Sequence, residues 1–599
     1  MNLENKYWQK QTSLIDWNKK PKTIFEKKKN NKFEWFGDGK LNVAYNCLEN
    51  KQNNNKIAIY FIDKNYNIHS YTFKQLSILV DKFAYLIKKK IKSKKKSNII
   101  IHSSASIESA VSMLACAKLG YPHSVIFEDL SSKSVLLRIQ LLKPTLIISR
   151  ADNKQFNKDI VPAIQEHKDK SLVIFSFSNH KIKFSKVFNI SIKQLDKMNS
   201  SKNSYNYFKS NNTLFTLFTS GSTGMPKGIM HSSGGYLLYS KYTCIKQFGM
   251  NKNSVVLTAS DAGWINGHTY ALYGPLSIGA TTVLIEKPII LLNQIFLLKI
   301  INELKISILY LPVTLIRMLK SISQKNISKT KSLKTIGSMG EPLAPSVGKW
   351  YSNFFNLKDK AIINTYFQTE TAGIIASPKY SQTSKEVPHG CVGKPINKFI
   401  KVKLDSPLDR HQGENKVIKI ENLWPGCMIN VLNGLEQWNN YWDDLGRFNL
   451  FDLASYDFKK NINIHGRIDD VINIRGHRIG SEEIESIILK NHNISESCAI
   501  PILDKLEGNR IIIFLVLKNK RLFNFDTINK LIYNYFGSYA LPKKIYILSE
   551  LPKTRSGKIL RRLLKQIIEN PKKNDYGDIS TLINPNIIKD IKKVLILNE

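Results

Sequence analysis

The sequence predicts an α/β protein, and three observations carry that prediction. Short apolar, β-prone runs alternate with amphipathic segments of helical period; strand, helix, strand at this spacing calls for parallel sheets joined by crossover helices. At 599 residues the chain can bury several cores, so about two to four domains are expected. A hydrophobic content of 42% with 10% aromatic residues marks a globular chain rather than a disordered one.

Taken in order, residues 1–50 hold Tyr7, Trp8, Trp17, Trp35 and Phe36 but no long periodic pattern. They read as an extended, aromatic-anchored segment packed over a larger domain. Ile57 to Ile62 and Tyr71 to Phe73 predict a hairpin about the polar turn Asp63 to Asn67. A helix from about Phe73 to Lys89 follows, with Leu76, Leu79, Val80, Phe83 and Leu86 on one face. Asn98 to His102 is a strand, Ile107 to Leu119 a helix stopped by Gly120, and Tyr121 to Phe127 another strand. The rhythm continues at Thr145 to Ser149, Leu172 to Phe177 and Ile306 to Leu311, and a strand-prone region runs from His389 to about Asn433. Near Arg467 to Asp470 the character changes. Strands at Val471 to Ile474, Ile511 to Leu517 and Lys544 to Leu548, with helices at Glu482 to Lys490, Asp526 to Tyr535 and Ile559 to Ile568, make a compact closing unit. The expected division is therefore 1–50 as an N-terminal extension, 51–468 as a large domain and 469–599 as a small one, with a hinge between the last two.

Composition excludes several classes. The formal charge of +42 would suit a nucleic-acid partner, since a basic face attracts phosphates. The lysines, however, are spread along the chain among Ile and Asn, and the densest run, Lys88 to Lys96, lacks interleaved aromatics. No nucleic-acid partner is expected. The six cysteines are far apart with no C-x-x-C spacing, which argues against a disulfide framework or zinc site and suits a reducing, cytoplasmic compartment. No uninterrupted apolar run of about eighteen residues occurs, so no membrane span is expected. The first arginine is Arg138, with Glu4 and Asp16 near the start, so an Arg-rich transit peptide is not expected.

The chemistry centres on Thr216 to Gly228, where an apolar run feeds a segment dense in Gly, Ser and Thr that ends in Lys227. Glycines let backbone N–H groups converge, hydroxyls add donors, and the lysine adds positive charge, which together can wrap a polyphosphate. The spacing is not that of the P-loop nucleotidases. In isolation such a loop is more often a solvated connection than a phosphate cradle.

The order of further motifs decides between those readings. After the loop come Asp261 to His268 (DAGWINGH), Gly337 to Pro342 (GSMGEP), Thr365 to Thr371 (TYFQTET), Leu450-Phe451-Asp452, Gly466 to Asp470 (GRIDD), Gly476-His477-Arg478 and Pro552 to Lys558 (PKTRSGK). With Trp35-Phe36, Leu41-Asn42 and Tyr45-Asn46, this series resembles the acetyl-CoA/propionyl-CoA synthetase branch of the adenylate-forming superfamily over essentially the full length. The resemblance implies a large domain of parallel-type sheets with crossover helices plus a distorted β-barrel, followed by a small mobile α+β C-terminal domain. It implies two-step chemistry as well: a carboxylate attacks the α-phosphorus of ATP, releasing pyrophosphate, and the thiol of coenzyme A then displaces AMP. Such a site supplies positioning and cations rather than a protein nucleophile.

By the same resemblance, Thr219, Ser220, Gly221, Ser222, Thr223, Gly224 and Lys227 form the ATP phosphate loop. Gly340, Glu341 and Pro342 are the adenine turn. Asn364, Thr365, Tyr366, Phe367, Gln368 and Thr369 line the nucleotide, Asp452 accepts the ribose hydroxyls, and Arg467 and Arg478 lie beside ribose and phosphate. Glu370 would hold Mg2+ against phosphate oxygens, a role one carboxylate can fill. Lys558 is the catalytic lysine bridging carboxylate and α-phosphate, and its acetylation would remove that charge, as in relatives. Asp469 is the hinge, while Arg475 and Gly476 flank the coenzyme A channel.

Ile265, Asn266, Met339 and Phe367 are the implied acyl-pocket wall. A tryptophan usual in acetate enzymes is replaced by Phe367, which adds room; Ile265 and Met339, where valines are usual, take it back. A pocket for about two or three carbons is expected, and one methylene gives only about 1–3 kcal/mol of discrimination. Acetate leads, with propionate or another three-carbon acid such as acrylate as the alternative and a non-catalytic, nucleic-acid-binding relative as a remote one. Three departures stand out. Leu450-Phe451 replace a usual Thr-Gly, Asn364 replaces an aspartate, and no arginines for the 3′-phosphate of coenzyme A can be mapped around Ala151 to Lys158. Oligomeric state is not legible.

Overall fold

A computed structural model describes residues 2–49, 54–91, 97–128, 130–167, 172–177, 182, 184, 187–199, 204–219, 226–322, 330–405, 416–432, 434–467, 471–474, 477–504, 508–519, 523–536, 540–554, 557–572, 575–576, 579 and 582–597. For 467, 471–474, 477–480, 503–504, 508–509 and 597 it describes the backbone alone. Two large sheets carry the main body. In one, the strands Ile363–Asn364, Thr335–Met339, Ile308–Pro312, Val255–Thr258, Thr281–Ile285 and Ile57–Ile62 run parallel in that spatial order, with Ile68–Thr72 antiparallel at the edge. In the other, Val187–Asn189, Val173–Ser176, Leu146–Ser149, Ile99–His102, His123–Ile126 and Thr213–Thr219 are parallel, and Lys227–Ser232 and Asn430–Leu432 add antiparallel strands. The predicted parallel sheets with crossovers are thus present.

Local signals explain the helices between them. Thr72 and Gln75 form a reciprocal capping box that starts the helix Phe73–Lys90, and Ser106 with Ser109 does the same for Ile107–Leu119. Gly120 ends the latter at φ 71°, a left-handed stop that glycine adopts without strain. The apolar stretch from Pro288 to Pro312 contains a 3-10 turn, Pro288–Leu292, the helix Gln294–Glu303 and the strand Ile308–Pro312.

Two readings need correction. The opening segment is not simply extended: it contains the helices Leu3–Gln11 and Val43–Leu48, with short strands between. The first is too short to show a clear period, yet Asn2 caps it and Trp8 is wholly buried. Where a distorted barrel is expected, Val402–Asp405, Lys416–Ile420, Phe448–Tyr456 and Ile462–Arg467 form a four-stranded antiparallel sheet, with no closed barrel among the described residues. The C-terminal part holds an eleven-residue strand, Ile494–Asp504, and a last helix, Ile587–Leu597, that the sequence did not suggest. That strand pairs along Gly508–Leu517, which pairs in parallel with Lys544–Leu548. Apolar clusters cover both faces of this sheet: Phe514, Tyr546 and Leu564 in one, Ile484, Ile513 and Ile532 in the other.

Candidate active site

The ends of the strands bring the predicted motifs together. Thr213–Thr219 and Lys227–Ser232 pair antiparallel with Thr219 opposite Lys227. Ser220, Gly221, Ser222, Thr223 and Gly224 lie outside the described residues, as do Asp469, Arg475 and Gly476; for Arg467 and Arg478 only the backbone is described. Lys227 lies over the ring of Tyr441, 5.4 Å from its centroid, and the Tyr441 hydroxyl donates to Glu370 Oε1 at 2.7 Å. Lys227 and Glu370 are therefore joined through one aromatic side chain. Tyr441 belongs to no motif, and tertiary packing alone delivers it, so the sequence offered no signal for it.

Glu370 sits in a 3-10 turn, Thr369–Thr371, whose neighbours fix it. His231 Nε2 donates to Thr369 O at 2.8 Å, and the Met428 N–H donates to Glu370 O at 2.9 Å. Burial pushes the His231 pKa down to about 4, so the ring is neutral and Nε2 carries the proton it donates. One carboxylate whose second oxygen has no hydrogen-bond partner among the described residues fits a magnesium ion that takes its other ligands from phosphate.

Asp452 is 6% exposed and accepts at Oδ2 from Tyr366 Oη at 2.7 Å and from Gln368 Nε2 at 2.5 Å. Gln368 Nε2 also donates to Leu450 O at 2.7 Å, tying the TYFQTET segment to the strand that bears Asp452. The residue before it, Phe451, has φ 57°. That is the left-handed region where an aromatic side chain is strained, so the missing glycine is a cost the fold carries at this site. Ala372, just beyond Glu370, has φ 60°.

Asn364 behaves otherwise than the resemblance implies. Its oxygen accepts from Ser338 Oγ at 3.0 Å, and its nitrogen donates to Gly390 O and Cys391 O at 3.1 and 3.2 Å. With both ends of its amide spent on protein, it ties strands together rather than facing a nucleotide. Thr365 likewise donates to Ser338 O at 2.9 Å and meets Tyr310 Oη. In the turn expected to meet adenine, Gly340 takes φ 90° with open space around it, and Glu341 Oε2 lies 3.0 Å from Arg317 Nη2. Pro342 follows in the same turn. Arg317 was not anticipated; it lies on the helix Val313–Ile322, away from every motif.

Ile265, Asn266 and Met339 are each 5–6% exposed. Phe367 packs edge-on against Tyr270 with centroids 5.6 Å apart, and Asn266 Oδ1 is buried with no hydrogen-bond partner among the described residues. Asp261 caps this segment by accepting the Gly263 N–H at 2.8 Å, and burial raises its pKa to about 6. Near the region searched for coenzyme A contacts, Arg150 is fully committed. It faces Glu108, Glu128 and Glu286 at 3.3, 3.5 and 3.0 Å.

The C-terminal part reaches the same place. Gly557, at φ 85°, lies so close to the large body that a Cβ would stand 2.5 Å from Thr314 Oγ1. Thr314 opens the helix after Ile308–Pro312, the strand beside the one that carries Met339. Lys558 is next in sequence and exposed, with its N–H donated to Thr554 Oγ1 at 3.1 Å.

Known proteins repeat this assembly. The AMP-binding enzyme family model matches residues 48–415, the AMP-binding enzyme C-terminal domain matches 483–558, and the acetyl-coenzyme A synthetase N-terminus matches 2–47. Acetyl-coenzyme A synthetase of Helicobacter pylori (strain G27) is 31% identical, across 95% of this chain and 89% of that protein. The same-named protein of Campylobacter jejuni subsp. jejuni (strain 81-176) is 32% identical over 98% and 93%. In fold, acetoacetyl-CoA synthetase from Streptomyces lividans superposes with a TM-score of 0.82 at 16% identity, over 99% of this chain and 92% of that one. A family model matched over more than half of the chain, and relatives above 30% identity matched over nearly all of it, make this chain a member of the AMP-binding, adenylate-forming enzyme family.

Proposed function

We propose that the chain is an AMP-forming short-chain acyl-CoA synthetase that converts acetate, ATP and coenzyme A to acetyl-CoA, AMP and pyrophosphate through an acyl-adenylate. The observation that carries this reading is the joining of Lys227, Tyr441, Glu370, Gln368 and Asp452 into one connected wall, with Lys558 presented from the C-terminal domain. Asp452 would receive the ribose hydroxyls, with Tyr366 and Gln368 holding its carboxylate in place. Glu370 would hold Mg2+, which when bound neutralises phosphate charge. Lys227 and the loop would bind the β- and γ-phosphates, and Lys558 would draw the acid's carboxylate toward the α-phosphorus. Arg478 and Arg467 are assigned to phosphate and ribose.

After pyrophosphate leaves, rotation at Asp469 would replace Lys558 with the channel flanked by Arg475 and Gly476, since one pocket cannot present both at once. Acetylation of the exposed Lys558 would silence the first half-reaction and spare the second. Six free, buried cysteines support a cytoplasmic location, and no described helix is long and apolar enough to cross a membrane.

Propionate, or another three-carbon acid, is the second reading, favoured by the ring at Phe367. The test is AMP release with acetate, propionate and butyrate, with and without coenzyme A. Acetate and propionate are expected to overlap, and a preference for butyrate or longer acids would refute the pocket.

A further inference from the structure

Where the C-terminal domain meets the adenine turn, three carboxylates share two guanidinium groups. Arg317, on the helix Val313–Ile322, is matched to Glu341 at 3.0 Å. Arg561, at the start of the helix Arg561–Glu569, is matched to Glu485 at 2.6 Å, and Glu485 also accepts the Ala499 N–H at 2.9 Å. Glu482, in the first turn of Ser481–Ile488, is left over. Its Oε1 lies 3.9 Å from Arg561, and its Oε2 is closed off from solvent with no hydrogen-bond partner among the described residues. The side chain as a whole keeps 18% of its surface, and the atom withdrawn from water is Oε2. A buried carboxylate without a partner of its own is most cheaply held neutral.

We infer that Glu482 is a positioning residue for adenylation: docking of the C-terminal domain seats it as a neutral acid among Arg317, Glu341, Glu485 and Arg561, so closure takes one proton from solvent and reopening returns it. The inference rests on the two-arrangement reading of the reaction proposed above. The electrostatics agree. Burial is the largest influence and raises the Glu482 pKa to about 8; Arg561 opposes this, Glu485 and Glu341 add to it, and Arg317 opposes it. Glu485 is also raised by burial, but Arg561 and the Ala499 N–H hold its charge, which leaves the proton on Glu482.

Other charged groups stand around the junction. Glu483, next on the same helix, faces His465 at 3.5 Å, and Glu496 is bonded to Lys553. Lys320 faces Lys518 across a cavity of about 30 Å³ lined also by His492. Gly466, from the strand Ile462–Arg467, brings only backbone, and a Cβ there would lie 3.8 Å from the Glu482 carboxyl carbon.

The sign follows from linkage. In the open arrangement Glu482 meets water and returns toward the ordinary carboxylate range, so closure binds a proton between that range and about pH 8. The closed-to-open ratio therefore falls as pH rises, by up to about tenfold per unit, and levels off above about pH 8. Glutamine copies the neutral acid and removes the dependence.

The test is single-molecule energy transfer on the full chain, with dyes on Ile295→Cys and Tyr533→Cys, both exposed, while the native cysteines are buried. From pH 6 to 8 the closed fraction of the wild type should fall, whereas Glu482→Gln should stay closed and flat; Glu482→Ala should be flat as well. A wild type without slope, or a Glu482→Gln variant that keeps it, would overturn the inference. This readout needs neither acid nor coenzyme A, so it stands or falls separately from the substrate assignment. In parallel, the ratio of acid-dependent ATP–pyrophosphate exchange to thioester formation from supplied acyl-adenylate should fall with pH in the wild type and hold constant in Glu482→Gln. Equal pH dependence in both proteins would again count against Glu482.

Discussion

Phe451 shows how one residue can fit a site while straining it. Its ring packs edge-on to Tyr441 with centroids 5.7 Å apart, yet its backbone sits at φ 57°. Alanine would lose the ring and keep the strain, whereas glycine would lose the ring and shed it. Phe451→Gly is therefore expected to be more stable than Phe451→Ala by about 1 kcal/mol, read from urea midpoints. Asp261 offers a second case. Its folded pKa of about 6 lies above the model-peptide value of 3.8, so its ionisation opposes folding as pH rises from about 4 to 6. Asp261→Asn keeps an acceptor for the Gly263 N–H and should gain about 2–3 kcal/mol above pH 6, with the gap closing by about pH 4 in thermal or urea melts. What the sequence made legible at this scale was identity within motifs: Asp452, Glu370 and Lys227 stand where their neighbours in sequence placed them. Tyr441 and Arg317 were illegible because only packing brings them to the site. Asn364 was misread because its partners, Ser338, Gly390 and Cys391, come from other segments.

Among elements, the turn bearing Gly557 has the least room to vary. A methyl group there would meet Thr314 and force a φ of 85° on an L-residue. Gly557→Ala should lower acid-dependent pyrophosphate exchange by about tenfold or more, because small misplacements of a catalytic group carry penalties of that order. Thioester formation from supplied acyl-adenylate should change by less than about twofold, since the turn serves only the first step in the proposed cycle. Comparing the two half-reactions in one preparation checks this. Elements were legible where the period was long or the caps explicit, as in Phe73–Lys90 and Ile107–Leu119. They were not where a strand runs through mixed polarity. In Ile494–Asp504, Ser495, Glu496, Ser497 and Cys498 interrupt the apolar alternation, and long-range pairing with Gly508–Leu517 decides the outcome.

For the whole molecule, the proposed rotation about Asp469 makes a sharp demand. Asp469→Pro fixes one backbone angle at the hinge, so one half-reaction should be lost while the other persists. If both half-reactions ran at wild-type rates, the two-arrangement cycle would be wrong. The parallel sheets were readable from the strand–helix rhythm, because each unit is local in sequence. The four-stranded antiparallel sheet was not, because the pairing of Lys416–Ile420 with Phe448–Tyr456 spans a long intervening stretch.

The opening fifty residues carry a different kind of consequence. Trp8 packs against Tyr239 and Tyr242, Tyr7 is hydrogen-bonded to Tyr242 at 2.6 Å, and Trp438 donates from Nε1 to Asn30 O at 3.0 Å. The part of the chain made first therefore finds its partners among residues made much later. At about 5–20 residues per second of synthesis, Trp8 waits roughly ten to fifty seconds for Tyr242, and Asn30 waits roughly twenty to eighty for Trp438. Throughout that interval Trp8, Trp35 and Phe36, all buried at the end, have no finished surface to cover them. The nascent chain thus presents an aromatic, aggregation-prone segment until Tyr242 and then Trp438 emerge, and its yield in a cell depends on what shelters that segment meanwhile.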